Sequence, residues 1–244
     1  MASVSRVYSA LKDLANKDQR GFITPAIFNN FAQVAQMSIF NKLFTDFEQG
    51  KIARIKNIDP SADKSKIKRV EEDLAYFSKT AVISQANSVF AKPADLARII
   101  SATSSGSILL NQSTRINIPF VYDQAKVDYI MLSELSKPTE VFPIAVVGED
   151  IEVYPTTIKK IRLNYYKQPQ GRNTVTGVRT SSQPRFGYTV VAGKEVYSVA
   201  NSVDFELPEH YFADLVIEIA KLVGVNLRDQ DVYAYADAEE KANM

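Results

Sequence analysis

From Thr24 to Asn57 the apolar positions keep a helical period. Phe28, Phe31, Ala32, Ala35 and Ile39 are followed by Phe40, Leu43, Phe44 and Phe47. Thr24 and Pro25 form a start signal, since a threonine hydroxyl caps orphan amides and proline fits the first helical position. The pattern predicts one helix of roughly 50 Å at ~1.5 Å per residue. Gly50 is its expected weak point. A shorter amphipathic helix is predicted over Ser3–Ala15, with Val4, Val7, Tyr8, Leu11 and Leu14 on one face. A second is expected from Ala62 to Lys79, after the turn Asp59-Pro60-Ser61, with Ile67, Val70, Leu74 and Phe77 inward.

Beyond Lys92 the period falls to two. A short helical turn over Pro93–Ile100 leads to a strand, and Ser101–Ser107 reads as a turn. Strand patterns follow at Ile116, Ile118 and Phe120, at Val127, Tyr129 and Met131, and most clearly at Ile161, Leu163 and Tyr165. A hairpin is predicted from Gly187–Ala192 and Glu195–Val199, turning near Gly193. The helical period returns after Pro208. Phe212, Leu215, Val216, Ile219, Leu222 and Val223 form one stripe that Gly224 should cap, before a polar segment from Arg228 to Met244.

These patterns predict an α+β fold. N- and C-terminal helices form a helical bundle around an inserted antiparallel β-rich region. The boundaries expected are 1–90 for the N-terminal helical part, 91–207 for the β-rich part and 208–244 for C-terminal helices packing back on the N-terminal ones.

Composition narrows the chemistry. The 244 residues carry 29 basic and 28 acidic side chains, so no global field selects nucleic acid, an anionic membrane or acidic substrates. Cysteine is absent, which excludes disulfides, thiol nucleophiles and cysteine-ligated zinc and agrees with a reducing compartment. The first residues lack a signal-peptide apolar run, and no stretch is long and apolar enough for a membrane span. There is no phosphate-cradling glycine motif.

The turn after the first helix invites comparison with a calcium loop. With Gly21 in sixth place, Asn16 is first, Asp18 third, Arg20 fifth and Ile27 twelfth. An arginine and an isoleucine at ligand positions argue against calcium. Lys51–Arg69 is a basic run that could meet phosphates or an acidic partner surface, but Glu71, Glu72 and Asp73 follow at once and it reads rather as a solvated helix face of mixed charge. His210 is the single histidine and reads as a surface residue. No catalytic residue, cofactor or metal site is expected.

Gln168–Pro184 is polar, contains Gly171 and Gly177, and is long for a loop. It is expected to protrude as a hairpin or arm, with partner binding and plain flexibility both open. The candidate interface residues are Gly171, Arg172, Asn173, Thr174, Val175, Thr176, Gly177, Val178, Arg179, Thr180, Ser181 and Ser182. Deleting that stretch is expected to leave the fold intact.

Three segments carry a resemblance: N-K-D-Q-R-G-F-I-T-P-A-I-F-N-N-F-A-Q-V-A-Q (16–36), K-P-T-E-V-F-P-I (137–144) continuing as I-E-V-Y-P-T-T-I-K-K-I-R-L-N-Y-Y-K-Q-P (151–169), and S-V-D-F-E-L-P-E-H-Y-F-A-D-L-V-I-E-I-A-K-L-V-G-V (202–225). In this order they resemble head-to-tail adaptor or tail ring structural proteins of podovirus-like, especially crAss-like, tailed bacteriophages. One departure is that such proteins often carry a proline- and tryptophan-containing turn after the strand matching Ile161–Tyr165. This chain has no tryptophan, and the 169–185 loop stands in that place.

The resemblance implies a homo-oligomeric, twelvefold ring beneath the portal, in the neck or tail of the virion and assembled in the host cytoplasm. The partners implied are the portal protein and other tail or ring proteins, with transient, non-specific DNA passage through the lumen. Tail hub, stopper and fibre-attachment roles stay open, as does a soluble enzyme or effector built on His210 or carboxylates.

Overall fold

The computed structural model describes residues 1–17, 23–55, 63–104, 115–226 and 238. In chain order, helices α1 (Val4–Lys17), α2 (Pro25–Ile55) and α3 (Asp63–Tyr76) lead to strands β1 (Ser78–Ser84), β2 (Leu96–Ser104), β3 (Asn117–Ile118) and β4 (Phe120–Val121). Helix α4 (Gln124–Leu132) precedes β5 (Ile144–Val147), β6 (Ile151–Tyr154), β7 (Lys160–Lys167), β8 (Gly171–Asn173) and β9 (Arg179–Thr180). Strands β10 (Tyr188–Val191), β11 (Lys194–Tyr197) and β12 (Val203–Phe205) lead to α5 (Phe212–Asn226). The fold is mixed α+β with several antiparallel sheets.

The chain divides into two units: Met1–Asp73 with Pro169–Met244, and Leu74–Gln168. These limits differ from the sequence boundaries at 90 and 207. Strands begin at Ser78, and β8 to β12 belong with the terminal helices.

In the first unit, α5 packs on α2 and on α1, and α1 also meets β12. The long helix begins where its start signal stands: the Thr24 hydroxyl accepts the Ile27 amide at 3.3 Å. Phe28, Ala32, Ala35, Ile39, Phe40, Leu43 and Phe44 are buried, as the period requires. The helix continues through Gly50 to Ile55, so the expected weak point does not break it. Likewise α5 runs through Gly224 to Asn226, and the expected cap lies inside the helix. A glycine costs about 1 kcal/mol in a helix, which the surrounding turns absorb. Helix α1 gains a long-range cap, because its first amide, at Val4, donates to the Asp204 carboxylate at 2.8 Å. Tyr8 stacks between Phe28 and Phe186, and Phe186 in turn meets Tyr197.

The second unit has a four-stranded antiparallel sheet in the order β1-β7-β2-β3 and a three-stranded sheet in the order β4-β5-β6. Its core holds Phe90, Ile118, Ile151, Val153, Ile161, Leu163 and Tyr165. The alternation at Ile161, Leu163 and Tyr165 is the inward face of the central strand β7. The buried Tyr165 hydroxyl donates to Asp95 at 2.8 Å, and Lys79 binds the other carboxylate oxygen at 2.8 Å. Burial first, then the Asp95 bond, hold the Tyr165 pKa above its ordinary value.

Two local readings change. Val127, Tyr129 and Met131 lie on helix α4, not a strand, because Asp123 accepts the Ala125 amide at 3.0 Å and caps a helical turn there. Ser101–Ser104 is the end of β2, paired with β7, rather than a turn. The Asp59-Pro60-Ser61 turn, Asp18 and Arg20 of the weighed calcium loop, residues 105–107, Glu239/Glu240 and nearly all of 228–244 lie outside the described residues, as do the side chains of Lys51–Ile67.

Candidate interaction site

The 171–182 stretch is a built hairpin. Strand β8 is the middle strand of a three-stranded sheet, pairing with β12 on one side and β9 on the other. Gly171 is buried in that sheet, and a Cβ there would fall 2.0 Å from Val203 Cγ1 and 2.7 Å from the Ser182 carbonyl oxygen. A glycine expected within a protruding loop is therefore demanded by close packing.

The turn is tied down by its own bonds. Asn173 Oδ1 accepts the amides of Val175 and Thr176, each at 2.9 Å. The Gly177 amide donates to the Asn173 carbonyl at 2.8 Å, and Arg172 Nη1 donates to the Gly177 carbonyl at 2.9 Å. Gly177 has a φ of 66°, which glycine adopts freely. Val175 and Val178 project from this ordered tip and are exposed.

Beneath the tip lies a buried polar network. Glu206 is fully buried; its Oε2 accepts the Gln170 amide at 2.8 Å and Arg179 Nε at 3.0 Å. Gln36, also fully buried on α2, accepts the Glu206 amide at 2.9 Å and donates to the Gln170 carbonyl at 3.0 Å. One helical face-repeat earlier, Asn29 binds both backbone groups of Phe186, at 2.7 and 3.1 Å. Thus Arg179, Gly171 and Arg172 of the predicted interface stretch serve the fold. Val175, Thr176, Gly177 and Val178 form the exposed end, with half-buried Thr174 leading into it, while Thr180 lies in β9, with Ser181 and Ser182 exposed after it. Deleting Gly171–Ser182 would remove the middle strand and leave Glu206 without Arg179, so the expectation of an intact fold is revised.

Two exposed apolar regions were not singled out from sequence. The β10–β11 hairpin turns at Ala192 and Gly193, both at positive φ, and presents Val190, Val191 and Val196 to solvent. In the second unit, α4 and the segment after it expose Tyr129, Leu132, Leu135 (97% exposed) and Phe142. Only Val127 of α4 is buried. The signal for this region was present in the sequence but was read at the wrong period.

Asp73 Oδ2 accepts the Tyr211 hydroxyl at 2.6 Å and lies 3.2 Å from His210 Nε2. The Tyr211 pKa is pushed well above its ordinary value, by burial first and then by the Asp73 bond. The arrangement anchors the start of α5 to α3. Among the described residues, no group of three or more histidine or carboxylate side chains is placed to hold a metal ion, and no helix is long and apolar enough to cross a membrane. In comparisons with known proteins, no family model and no curated protein matches the chain.

Proposed function

We propose that this chain is a structural, non-enzymatic virion protein of a tailed bacteriophage. It is one copy in a symmetric, twelvefold ring that joins the portal to the tail and leaves a lumen for DNA. The reading starts from the ordered three-segment resemblance. The structural observation that supports it is the pair of distinct apolar exposures, one on each unit: the β10–β11 valines and the α4 segment. Large apolar patches on a water-exposed surface mark interaction sites. Two different patches on one chain allow a heterologous contact, which closes into a ring when the rotation permits.

In this reading α1, α2 and α5 are the subunit's helical bundle. The α4 segment and the two hairpin tips contact neighbouring subunits, the portal or the next tail protein. A symmetry-resolved electron cryomicroscopy map of the neck of purified particles tests it. Density for this chain in a ring between portal and tail supports the proposal. Density elsewhere in the tail reassigns it as hub, stopper or fibre attachment, and absence from particles overturns it.

A further inference from the structure

The four-stranded sheet of the second unit ends on an open strand. Its order is β1-β7-β2-β3, and among the described residues β1 pairs with β7 alone. From Ser78 to Ser84 it keeps one unbroken register with β7. Two flanking bonds fix which backbone groups face outward. The Lys167 amide donates to the Phe77 carbonyl and the Gln85 amide to the Lys159 carbonyl, each at 2.9 Å. Bonded and non-bonded positions alternate along an antiparallel ladder, so Lys79, Ala81 and Ile83 are the positions of β1 that bond to β7. Ser78, Thr80, Val82 and Ser84 therefore turn both N–H and C=O to the open side. Proteins blunt such edges with very short strands, bulges, prolines or free charges. The far side of this sheet is blunted in that way: β3 has two residues, and β2 shifts register twice against β7. Strand β1 has no proline and no register shift, and Val82 is 62% exposed. Its one charge, Lys79, is bound to Asp95 at 2.8 Å.

We infer that β1 pairs antiparallel with β1 of a second copy of this chain, across a two-fold axis at Ala81. The strand is self-complementary in that register. Ser78 faces the partner's Ser84, Lys79 faces the partner's Ile83, Thr80 faces the partner's Val82, and Ala81 meets its own copy. No like charges are opposed. Outward-bonding positions meet outward-bonding positions, so each brings a donor and an acceptor to the other. Ala81 and Ile83 pack against the core of the second unit, and the pairing continues that core into the partner. The small alanine sits at a non-hydrogen-bonded pair, where facing side chains come closest. Moving the register by two residues either way leaves two residues of each strand unpaired. The contact is ~24 Å long at ~3.4 Å per residue, with main-chain hydrogen bonds supplying the affinity. A two-fold contact closes at two copies. It is therefore a different contact from one between unlike patches around a ring, and it does not rest on the ring proposal.

The test is sedimentation velocity of the full chain from about 5 to 200 µM, a range suited to a contact of this small size. The mass should rise from one chain to two with concentration. Val82→Pro removes an outward donor and leaves the β7 ladder its bonds. It is expected to weaken association at least ~10-fold, and a thermal melt checks that it folds. Cysteine substitution reads the register. The chain has no cysteine of its own, so a single one can bridge only to a second copy. Ala81→Cys places the two sulfurs at the axis, with Cα atoms ~4.5 Å apart and within disulfide reach. Ser84→Cys places them at opposite ends of the contact. Under diamide the first should cross-link and the second should not. A chain that stays monomeric at every concentration overturns the inference and leaves the edge to an extended segment of a different protein. Unchanged association in folded Val82→Pro, equal cross-linking at both positions, or none at Ala81→Cys also overturns it. Should Val82→Pro fail to fold, the cysteine pair decides alone. Failure of the neck map to show a ring would leave this result standing.

Discussion

The Gln36 side chain joins two backbone segments that lie far from it in sequence. Its carbonyl oxygen accepts the Glu206 amide at 2.9 Å and its amide donates to the Gln170 carbonyl at 3.0 Å. Since Gln36 is fully buried, water cannot replace either bond. The Gln36→Leu variant keeps volume and loses both partners. It is expected to destabilise the protein by about 2–6 kcal/mol, from two stranded backbone groups at ~1–3 kcal/mol each. Urea denaturation reads the change; a loss under 0.5 kcal/mol would show that the network is dispensable.

Arg179 and Glu206 meet beneath the hairpin at 3.0 Å, with Glu206 fully buried and Arg179 23% exposed. Arg179→Ala takes the Arg179 cation from a fully buried carboxylate, and the expected loss is about 3–5 kcal/mol. The tip variant Val175→Thr/Val178→Thr changes exposed side chains and is expected to stay within about 0.5 kcal/mol of the parent. Chemical unfolding of both variants separates the anchoring base from the free tip, and equal losses would refute that division.

Gly171→Ala should be far more damaging than Gly193→Ala. The first places a Cβ against Val203 and the Ser182 backbone, whereas the second meets nothing within 4 Å and pays only for its φ of +77°. The cost at Gly193 is about 1–2 kcal/mol. At Gly171 the hairpin must shift or the protein fails to fold, which yields of soluble protein and circular dichroism would report.

Asp204 gives a pH signature. Burial raises its pKa above the ordinary carboxylate value, an effect that the Val4 amide bond partly offsets. With the folded pKa raised, the native state binds the proton more tightly than the unfolded chain. The stability linked to this group is therefore fully present below the unfolded pKa and is lost as pH rises through the folded one. Asp204→Asn keeps an oxygen for Val4 and removes the titration. Melting temperatures of parent and variant between pH 3 and 7 should show the variant gaining on the parent as pH rises across that window. Parallel curves would mean that the group does not titrate differently on folding.

The α4 region carries the interface prediction. Tyr129→Ser, Leu132→Ser and Leu135→Ser, made together, remove exposed apolar surface and leave the core untouched. The isolated chain should fold normally and stay more soluble, and particles assembled with it should lack the ring. Normal assembly would remove α4 from the contact.

Periodicity by itself determined the long elements. The stripes of α1, α2 and α5 and the alternation of β7 were legible because each buries one face over many residues, and burial enforces the period. The β10–β11 hairpin was legible because Ala192-Gly193 sits between two strand patterns. Helix α4 was not, because with Val127 alone buried its apolar residues follow no core-facing period and a local cap decides its state. Tertiary structure alone decided the rest. Gln36, Glu206 and Arg179 are ordinary polar letters in sequence, and their meaning depends on partners brought together from more than a hundred residues away in the case of Gln36. The hydrogen-bonded row Thr80–Asn164–Ser101 also needed strand order and register, because it forms only after β1, β7 and β2 are laid side by side.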